Sequence, residues 1–279
     1  MMFNPSAALV IGGTGYIGKS LVKQLQKNGH KVYSTSRETS TNLDQFNSNE
    51  ILNWNEFVND LGINKIFITA GLYQSIDNSK NWNQLWEANY SFPKRIVDEI
   101  SSSSIRVVIL GSYLQKDPES RGMWSFYTWS KVRFRDYLIN CARTSISSFR
   151  YVYLYDTYGN DDRRSKIYNI LMEYKENKGI LDCGSMNQVI NLTHIDDITQ
   201  GLIETINVET SDKFQEFQIR STETLTLGEL IAKIENYRGI KIAVKYGVSR
   251  QRKEVFNLWE CAPNIPNFEP SIKLFTTQG

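Results

Sequence analysis

A tyrosine and a lysine four positions apart, Tyr127 and Lys131 in the stretch YTWSK, could carry proton-transfer chemistry. Residues at this spacing share one face of a helix, so the ammonium can lie beside the phenol, lower its pKa and make it a proton donor and acceptor near neutral pH. Upstream, the apolar run that begins at Arg106 ends in Gly111-Ser112. The Ser112 hydroxyl should therefore emerge at the carboxyl end of a buried strand, the edge where doubly wound sheets bind ligands. Together, the three side chains predict a catalytic site.

A glycine-rich loop, GGTGYIG, follows the first apolar run of the chain. Its Gly12, Gly15 and Gly18 form the pattern G-x-x-G-x-x-G between a predicted strand and a predicted helix. Glycine permits positive φ and lets the backbone approach a pyrophosphate, whose charge faces the helix N-terminus. The third glycine allows the helix and strand to pack closely. In this context a dinucleotide-binding loop is favoured over a tight turn without a ligand.

The second predicted strand ends in Ser34-Thr35-Ser36-Arg37, with no acidic residue before Glu38. Sites that prefer NAD place an acid there to hold the ribose 2′-hydroxyl, whereas an arginine accommodates the 2′-phosphate of NADP. A guanidinium pairs well with phosphate and can stack on adenine. We therefore expect NADP(H) to be preferred; NAD(H) is possible if Arg37 is only a solvated loop charge.

The elements that position these residues alternate along the first half of the chain. Continuous apolar runs, typical of buried parallel strands, are Ala7–Gly12, Lys31–Thr35, Lys65–Ala70, Arg106–Gly111 and Ser148–Leu154. Between them lie predicted helices at Tyr16–Asn28, Trp82–Ser102 and Trp124–Thr144. This alternation predicts βαβ units and an α/β fold with a Rossmann-type doubly wound parallel sheet.

After about Tyr158 the elements become shorter and more polar. We predict that residues 1–157 form an NAD(P)-binding Rossmann domain, to which later segments return, and that residues 158–279 are mainly a smaller C-terminal substrate-binding lobe. The adjacent acids Asp196 and Asp197 are expected to begin a helix rather than to form an acid–base pair. The aromatic-rich RYVYLYDTYG is expected to be a core strand.

Composition excludes several classes of protein. The chain has 279 residues, 41% of them hydrophobic, and a net charge of +2, so no strong field favours nucleic acid or an anionic membrane surface. There is neither an apolar run of roughly 20 residues nor a signal-peptide pattern. Two histidines and three cysteines without metal-type spacing predict no metal site and reduced thiols in a cytoplasmic protein.

Motifs along almost the whole chain resemble those of the extended short-chain dehydrogenase/reductases, in the nucleotide-sugar epimerase/dehydratase group. Besides the glycine loop, Gly111-Ser112 and YTWSK, they are TAG at Thr69–Gly71, EANYSFPKRIVDEI with Asn89, YDTYG at Tyr155–Gly159, NLTHIDD at Asn191–Asp197 and the late LTLGELIAKI. Within the group, LYDTYG, DDRRSK and INLTHIDD look most like reductases of nucleotide-linked 4-keto-6-deoxysugars, of the CDP-abequose synthase kind.

The resemblance implies a role for each matching residue. Ser112 and Tyr127 would hold the substrate carbonyl or hydroxyl, and Lys131 would bond the nicotinamide ribose and tune the phenol. The residues expected to contact the cofactor are Gly12, Thr14, Gly15, Tyr16, Ile17, Gly18, Ser36, Arg37, Asn53, Trp54, Thr69, Ala70, Gly71, Asn89, Tyr127 and Lys131. Those expected to contact a nucleotide-sugar substrate are Ser112, Tyr113, Tyr155, Asp156, Arg163, Lys166 and Arg252. The two long helices would form a homodimer.

Departures from the family pattern change some of these expectations. Many members carry an acid at the position of Asn53, where asparagine can still hydrogen-bond adenine beside Trp54, and a proline at the position of Asn160. Many bind the nucleotide phosphates through an arginine at the position of Ile190, which isoleucine cannot do. The candidates to take over that role are Arg163, Arg164, Lys166 and Arg252. The stretch between the catalytic serine and tyrosine is also short, which alters the loop over the substrate.

These features predict an NADPH-dependent reductase that converts a nucleotide-linked 4-keto-6-deoxyhexose to the 4-hydroxy sugar, in deoxysugar biosynthesis for surface polysaccharide. Two alternatives stay open. An NAD-dependent nucleotide-sugar epimerase would keep its cofactor bound and return the hydride to the other face of the same carbon. A non-catalytic dinucleotide-binding sensor would lack the Ser/Tyr/Lys set that this chain has.

Overall fold

The computed structural model describes residues 7–38, 42–74, 79–117, 125–176, 179–248 and 254–275. Its strands are β1 (Ala7–Ile11), β2 (Lys31–Ser36), β3 (Gln45–Asn47), β4 (Ile63–Ile68), β5 (Arg106–Ser112), β6 (Ser148–Leu154), β7 (Asp156–Tyr158), β8 (Leu181–Asp182), β9 (Val189–Ile190), β10 (Leu192–His194), β11 (Phe214–Ile219), β12 (Leu225–Thr226) and β13 (Val244–Lys245). Its α-helices are α1 (Tyr16–Lys27), α2 (Trp54–Asp60), α3 (Trp82–Trp86), α4 (Phe92–Ile100), α5 (Phe126–Cys141), α6 (Ile167–Met172), α7 (Ile195–Asn207) and α8 (Leu227–Arg238).

Seven of the described strands form one sheet in the order β11-β6-β5-β4-β1-β2-β3, and every pairing in it is parallel. The central strands are buried along nearly their whole length, as the continuous apolar runs predicted. One face of the sheet packs against α2, α4 and α5, and the other packs against α1 and α7. The predicted doubly wound fold is therefore confirmed.

The predicted elements match the structure closely, with two informative differences. The third apolar run forms a strand at Ile63–Ile68, two residues earlier than predicted, so Thr69 and Ala70 belong to the loop at its carboxyl end. The long helix predicted from Trp82 is interrupted by a π-helical turn, Glu87–Ser91, between α3 and α4. The other long helix begins at Phe126, after the Ser125 cap, and Trp124 lies outside the described residues.

Segments after Tyr158 contribute both to the large sheet and to a separate hydrophobic cluster. Strand β11 pairs with β6 at the sheet edge, and α7 packs on the sheet through Ile198 and Leu202. The separate cluster joins α6 and α8 with the short strands, through residues such as Leu171 and Leu230. No helix in the described part of the chain combines the length and apolar character that a membrane span requires.

Candidate active site

The glycine loop brings the N-terminus of α1 against the carboxyl ends of β1 and β4. A Cβ on Gly12, whose φ is +87°, would lie 2.7 Å from the backbone nitrogen of Ala70. A Cβ on Gly18 would lie 2.2 Å from the carbonyl oxygen of Gly12, so only glycine permits this contact between helix and strand. Gly15 caps α1 without a side-chain hydrogen bond, which leaves the amides of the first turn available to an anion.

A cavity of about 890 Å³ opens beside this loop, within the size range of small-molecule sites. It lies at the carboxyl edge of the sheet, where the sequence placed the site. The residues predicted to contact cofactor or substrate that line it are Gly15, Tyr16, Ile17, Gly18, Thr69, Gly71, Ser112, Tyr113, Tyr127, Lys131, Tyr155, Asp156 and Lys166.

The serine, tyrosine and lysine come together on one wall of the cavity. Ser112 ends β5, is 9% exposed, and its Oγ accepts a hydrogen bond from the backbone nitrogen of Leu114 at 3.4 Å. Tyr127, in the first turn of α5, is hydrogen-bonded to Ser112. Lys131 lies one turn further along and donates from Nζ to the carbonyl oxygen of Leu110 at 2.9 Å. Helix spacing and the strand end thus position all three side chains as the sequence implied.

The electrostatics of this wall differ from the expectation. Burial raises the pKa of the Tyr127 phenol, and the neighbouring Tyr73 adds to this, while the hydrogen bond with Ser112 opposes it. Burial also lowers the pKa of Lys131 to about 8. The expected lowering of the phenol's pKa by Lys131 is wrong for this structure, because the lysine's Nζ donates to a backbone carbonyl and desolvation dominates. Tyr127 is therefore protonated at neutral pH.

The end of β2 reaches the glycine loop through Thr35, whose carbonyl oxygen accepts hydrogen bonds from the amides of Gly12 and Gly13. Two residues on, Arg37 is exposed, and none of the described acidic residues forms a salt bridge with it. The Ser36 hydroxyl donates to the carbonyl oxygen of Glu38 at 2.6 Å, so its proton is already committed within the loop. The guanidinium is the group at this end that is available for a phosphate.

Two residues predicted to contact adenine have structural partners of their own. Asn53 caps α2, its side chain accepting from the backbone nitrogen of Glu56 at 3.0 Å. Trp54 is 2% exposed and packs against Phe57 and Phe92 in the core. The Trp54 indole is therefore part of the core and does not line the cavity, and a contact of this residue with the cofactor stays a prediction.

Asn89 acts on the cavity through the backbone. Its side chain is 1% exposed, lies in the π-helical turn, accepts from the nitrogen of Leu72 at 3.0 Å and donates to the oxygen of Leu72 at 2.9 Å. Thr69 similarly donates from Oγ1 to the carbonyl oxygen of Ile11. Both side chains hold the loop after β4, which carries Gly71 and Tyr73 into the cavity.

Another wall of the cavity contains stacked aromatic side chains. Tyr113 and Tyr155 stack at 4.9 Å, and the Tyr155 hydroxyl donates to the carbonyl oxygen of Trp259 at 2.7 Å. Opposite, Lys166 lies 4.1 Å from the ring centre of Tyr73, whose ring meets that of Tyr127 edge-on at 5.0 Å. The sequence reasoning missed Tyr73, which lies in a loop without a periodic pattern.

Two adjacent arginines point to different sides of the molecule. Arg163 is exposed and lines a second cavity of about 740 Å³ on the outer face of α1. Arg164 lines both cavities, lies 4.2 Å from the ring centre of Tyr16, and pairs with Asp162 at 2.6 Å. Of the two, only Arg164, which was also a candidate for the phosphate contact, lines the first cavity, and the substrate contact of Arg163 stays a prediction. Arg252 lies outside the described residues, and Ile190 is buried.

Other polar groups singled out in the sequence have structural roles. Asp196 and Asp197 lie in the first turn of α7, and Asp197 Oδ2 accepts from the nitrogen of Ile272 at 2.8 Å. Tyr151 and Tyr153 of β6 are fully buried, as the core interpretation predicted. Across the described ranges, no three His, Cys, Asp or Glu side chains are grouped to hold a metal ion.

A glycine loop at the start of a doubly wound sheet and a Ser/Tyr/Lys set on one cavity define a dinucleotide-binding fold of the short-chain dehydrogenase/reductase class. The chain belongs to the NAD dependent epimerase/dehydratase family, which matches residues 8–219. It is 26% identical over 214 residues to the CDP-abequose synthase of Yersinia pseudotuberculosis, covering 70% of this chain and 71% of that protein.

Solved structures share the fold at low identity. The complex of MoeE5 with UDP-glucuronic acid and NAD superposes with a TM-score of 0.80 at 17% identity, covering 96% of this chain and 95% of that one. UDP-glucuronic acid 4-epimerase from Bacillus cereus, bound to UDP-glucuronic acid and NAD, has a TM-score of 0.82 at 13% identity with the same coverage of both chains.

Proposed function

We propose that this protein is an NADPH-dependent reductase of a nucleotide-linked 4-keto-6-deoxyhexose. The observation that carries the proposal is the grouping of Ser112, Tyr127 and Lys131 on the wall of one cavity beside the glycine loop, with the Tyr127 phenol hydrogen-bonded to Ser112. Reduction of a ketone needs a proton donor at the carbonyl oxygen, and a phenol with a raised pKa is in its acidic form. The similarity to a CDP-abequose synthase supports a nucleotide-linked sugar as the substrate.

The glycine loop fits a dinucleotide. Its close backbone approach and the uncapped amides of α1 suit a pyrophosphate, and the adjoining cavity is large enough for a small-molecule ligand beside Lys131. When bound, the cofactor supplies the hydride. Arg37, exposed just beyond the strand that bonds to the loop, supports NADP(H) over NAD(H).

The chain's own residues handle the carbonyl oxygen. Ser112 Oγ already accepts a hydrogen bond from the Leu114 amide, so its proton is directed outward to the substrate oxygen or to the phenol oxygen. Tyr127 delivers its proton to the oxygen as negative charge develops. Lys131, with a pKa of about 8, is mostly charged near neutrality and would bond the nicotinamide ribose, as the family resemblance implies.

The sugar nucleotide would lie against the stacked Tyr113 and Tyr155, with Asp156 facing the hexose. Lys166 and Arg164 line the same cavity and are the cationic groups placed to meet the nucleotide phosphates. We propose that residues 158–279 are mainly a substrate-binding lobe, which contributes Arg164 and Lys166 to this cavity, while α7 and β11 return to the cofactor domain.

Aromatic side chains on α3 and α5 support the proposed homodimer. Trp82, 41% exposed, stacks on Phe126 at 4.8 Å, and Trp86 stacks on Trp129 at 5.0 Å. Aromatic residues of this kind are enriched at protein interfaces. Light scattering after size exclusion should give twice the mass of the chain, and Trp82→Glu should lower it to that of the monomer.

The reaction is tested with CDP-, dTDP- and GDP-linked 4-keto-6-deoxysugars and NADPH. We expect one of them to gain two hydrogen atoms by mass spectrometry, with equal loss of NADPH absorbance. Tightly held NAD after purification, without net cofactor consumption, would instead identify an epimerase. Cofactor binding without turnover on any sugar of the panel would identify a sensor. The reaction is proposed to be cytoplasmic, where the cysteines stay reduced.

A further inference from the structure

A buried carboxamide holds the carboxyl end of β5 in place and is not used in the reaction scheme above. Gln115 lies in the 3₁₀ turn Tyr113–Lys116 and is 4% exposed. Its Oε1 accepts from the backbone nitrogen of Ser112 at 2.7 Å and from the hydroxyl of Tyr151 at 3.0 Å. Because Tyr151 belongs to the neighbouring strand β6, one oxygen atom ties the catalytic serine to the next strand of the sheet.

The orientation of this carboxamide follows from its partners. The backbone nitrogen of Ser112 can only donate, so the atom that faces it must be the oxygen. Nε2 is consequently buried, and none of the described residues offers it an acceptor. An unpaired buried donor destabilises the folded state. The two bonds that the oxygen accepts therefore explain a glutamine at this position, although its Nε2 stays unpaired among the described residues.

The surrounding backbone is built around this contact. A Cβ on Gly111 would lie 2.3 Å from the Tyr151 ring and 3.0 Å from Gln115 Oε1, so glycine is required for the approach. The hydroxyl of Tyr151 also lies 3.4 Å from the carbonyl oxygen of Lys131, and Tyr127 is close enough to raise the pKa of Tyr151. The carboxamide thus contacts the backbone of Ser112 directly and is linked to the backbone of Lys131 through the Tyr151 hydroxyl.

We propose that Gln115 is a positioning residue that aims the Ser112 hydroxyl at the substrate oxygen. This rests on the proposed function of Ser112 in the reductase. The serine is held twice, through its nitrogen by Gln115 and through its Oγ by the amide of Leu114, and both partners belong to the same 3₁₀ turn. Loss of the first bond frees the strand end to shift.

The test compares Gln115→Met, which keeps the size and removes the acceptor, with Gln115→Glu, which keeps an acceptor oxygen. We expect Gln115→Met to lower kcat about 10- to 100-fold, the cost of a displacement of roughly an ångström. The KM values for NADPH and sugar should stay within a factor of about two, because uniform binding is untouched. Gln115→Glu should recover most of the turnover, since the bond to the Ser112 amide is restored.

Ser147→Ala is the matched control for lost stability. Ser147 is fully buried at the opposite end of the strands, and its hydroxyl donates to the carbonyl oxygens of Ile100 and Ser103. We expect this variant to lose thermal stability while keeping kcat. If Gln115→Met does not fold, Gln115→Asn, which withdraws the oxygen by one methylene, takes its place.

Hydrogen exchange of the Ser112 amide gives a readout that needs no substrate. Exchange in the peptide spanning residues 110–117 should accelerate in Gln115→Met and return towards the wild-type rate in Gln115→Glu. Wild-type kcat and exchange in Gln115→Met, or equal impairment of the two variants, would overturn the proposal. A wild-type protein that reduces no sugar of the panel would contradict the proposed function, while the exchange rates would still decide the role of Gln115.

Discussion

The side chains at the two ends of the proposed cofactor site are held in place to different degrees. At the catalytic end, Ser112, Tyr127 and Lys131 are fixed by buried hydrogen bonds within regular elements. At the β2 end, Arg37 is exposed, and Asn53 is held only by a cap. Proton transfer tolerates little displacement, so its groups are fixed redundantly. Charge recognition of a phosphate acts over longer distances, so the proposed phosphate contact of Arg37 does not need the same fixation.

The largest effect is expected at the catalytic end, from Tyr127→Phe. Removal of the general acid should lower kcat about 100- to 10,000-fold, while NADPH still binds because the glycine loop is untouched. Tyr137→Phe is the matched control, since Tyr137 lies on the same helix with its hydroxyl on Asp98, away from the cavity. Initial rates and NADPH fluorescence titrations measure the two quantities. Near-normal turnover in Tyr127→Phe would refute the catalytic assignment.

At the β2 end, Arg37→Ala should weaken NADPH and leave NADH almost unchanged. A charge-assisted hydrogen bond contributes about 1.5–3 kcal/mol, so the preference should fall roughly 10- to 150-fold. The measurement is the ratio of kcat/KM with the two cofactors at one ionic strength, because salt screens phosphate contacts. Arg143→Ala removes an exposed arginine after α5 and should leave the ratio unchanged. A wild type that already prefers NADH would contradict the NADP assignment.

Lys131→Met separates stability from activity. Below about pH 8 the buried ammonium is charged in the folded state at a cost that the unfolded chain does not bear, and this cost fades as pH rises from about 8 towards 10.5. The cost of the buried charge corresponds to about 3 kcal/mol. Lys131→Met removes this cost but also loses the hydrogen bond to Leu110, which offsets about 1 kcal/mol of the gain.

The variant should therefore unfold with a free energy about 2 kcal/mol higher at pH 7, and this advantage should vanish near pH 10. Urea denaturation at the two pH values measures this difference in unfolding free energy. The same variant should lose most of its turnover. A variant less stable than the wild type at pH 7 would show that the lysine's contacts outweigh its burial.

The smallest effect is expected from Asn53→Ala. Loss of the α2 cap should cost about 1 kcal/mol of stability, and Asn53→Asp should preserve the cap. If Asn53 contacts adenine, Asn53→Ala should weaken the binding of NADPH and NADH equally. Arg37→Ala should weaken only the binding of NADPH. Thermal unfolding and cofactor titration distinguish the two roles. Unchanged stability would mean that the cap contributes nothing.

Sequence patterns predicted the parts of the fold that repeat or run uninterrupted. β1 and β6 are continuous apolar runs, and their bounds were found within one residue. β3, with the three residues QFN, and the alternating β11 went unpredicted, because short edge strands carry no continuous apolar signal. The grouping of Ser112, Tyr127 and Lys131 on one cavity was predicted because each lies at a defined position of a helix or at the end of a strand.

Properties that depend on tertiary packing could not be predicted from the sequence. The pKa of Tyr127 is raised because the side chain is buried, and the spacing of residues along the chain does not reveal burial. That Arg164 rather than Arg163 lines the first cavity depends on a loop in which Asp161 adopts a φ of +62°. Trp54 was predicted to contact the cofactor, but its side chain is buried in the core at the start of α2. The pattern S-x-x-Q at Ser112 is a capping box that could have identified Gln115.

The position of β11 late in the chain, far from its partner strand β6, has a consequence for folding during synthesis. β6, with its buried aromatic side chains, is an outer strand until Phe214–Ile219 leaves the ribosome, after α6 and α7 have been made. During that interval the nascent chain presents an unpaired apolar edge, a template for association with other chains. A chain that ends before Phe214 would therefore be an aggregation-prone fragment rather than a smaller functional protein. During synthesis, rapid translation of β11 or shielding of the β6 edge would prevent this association.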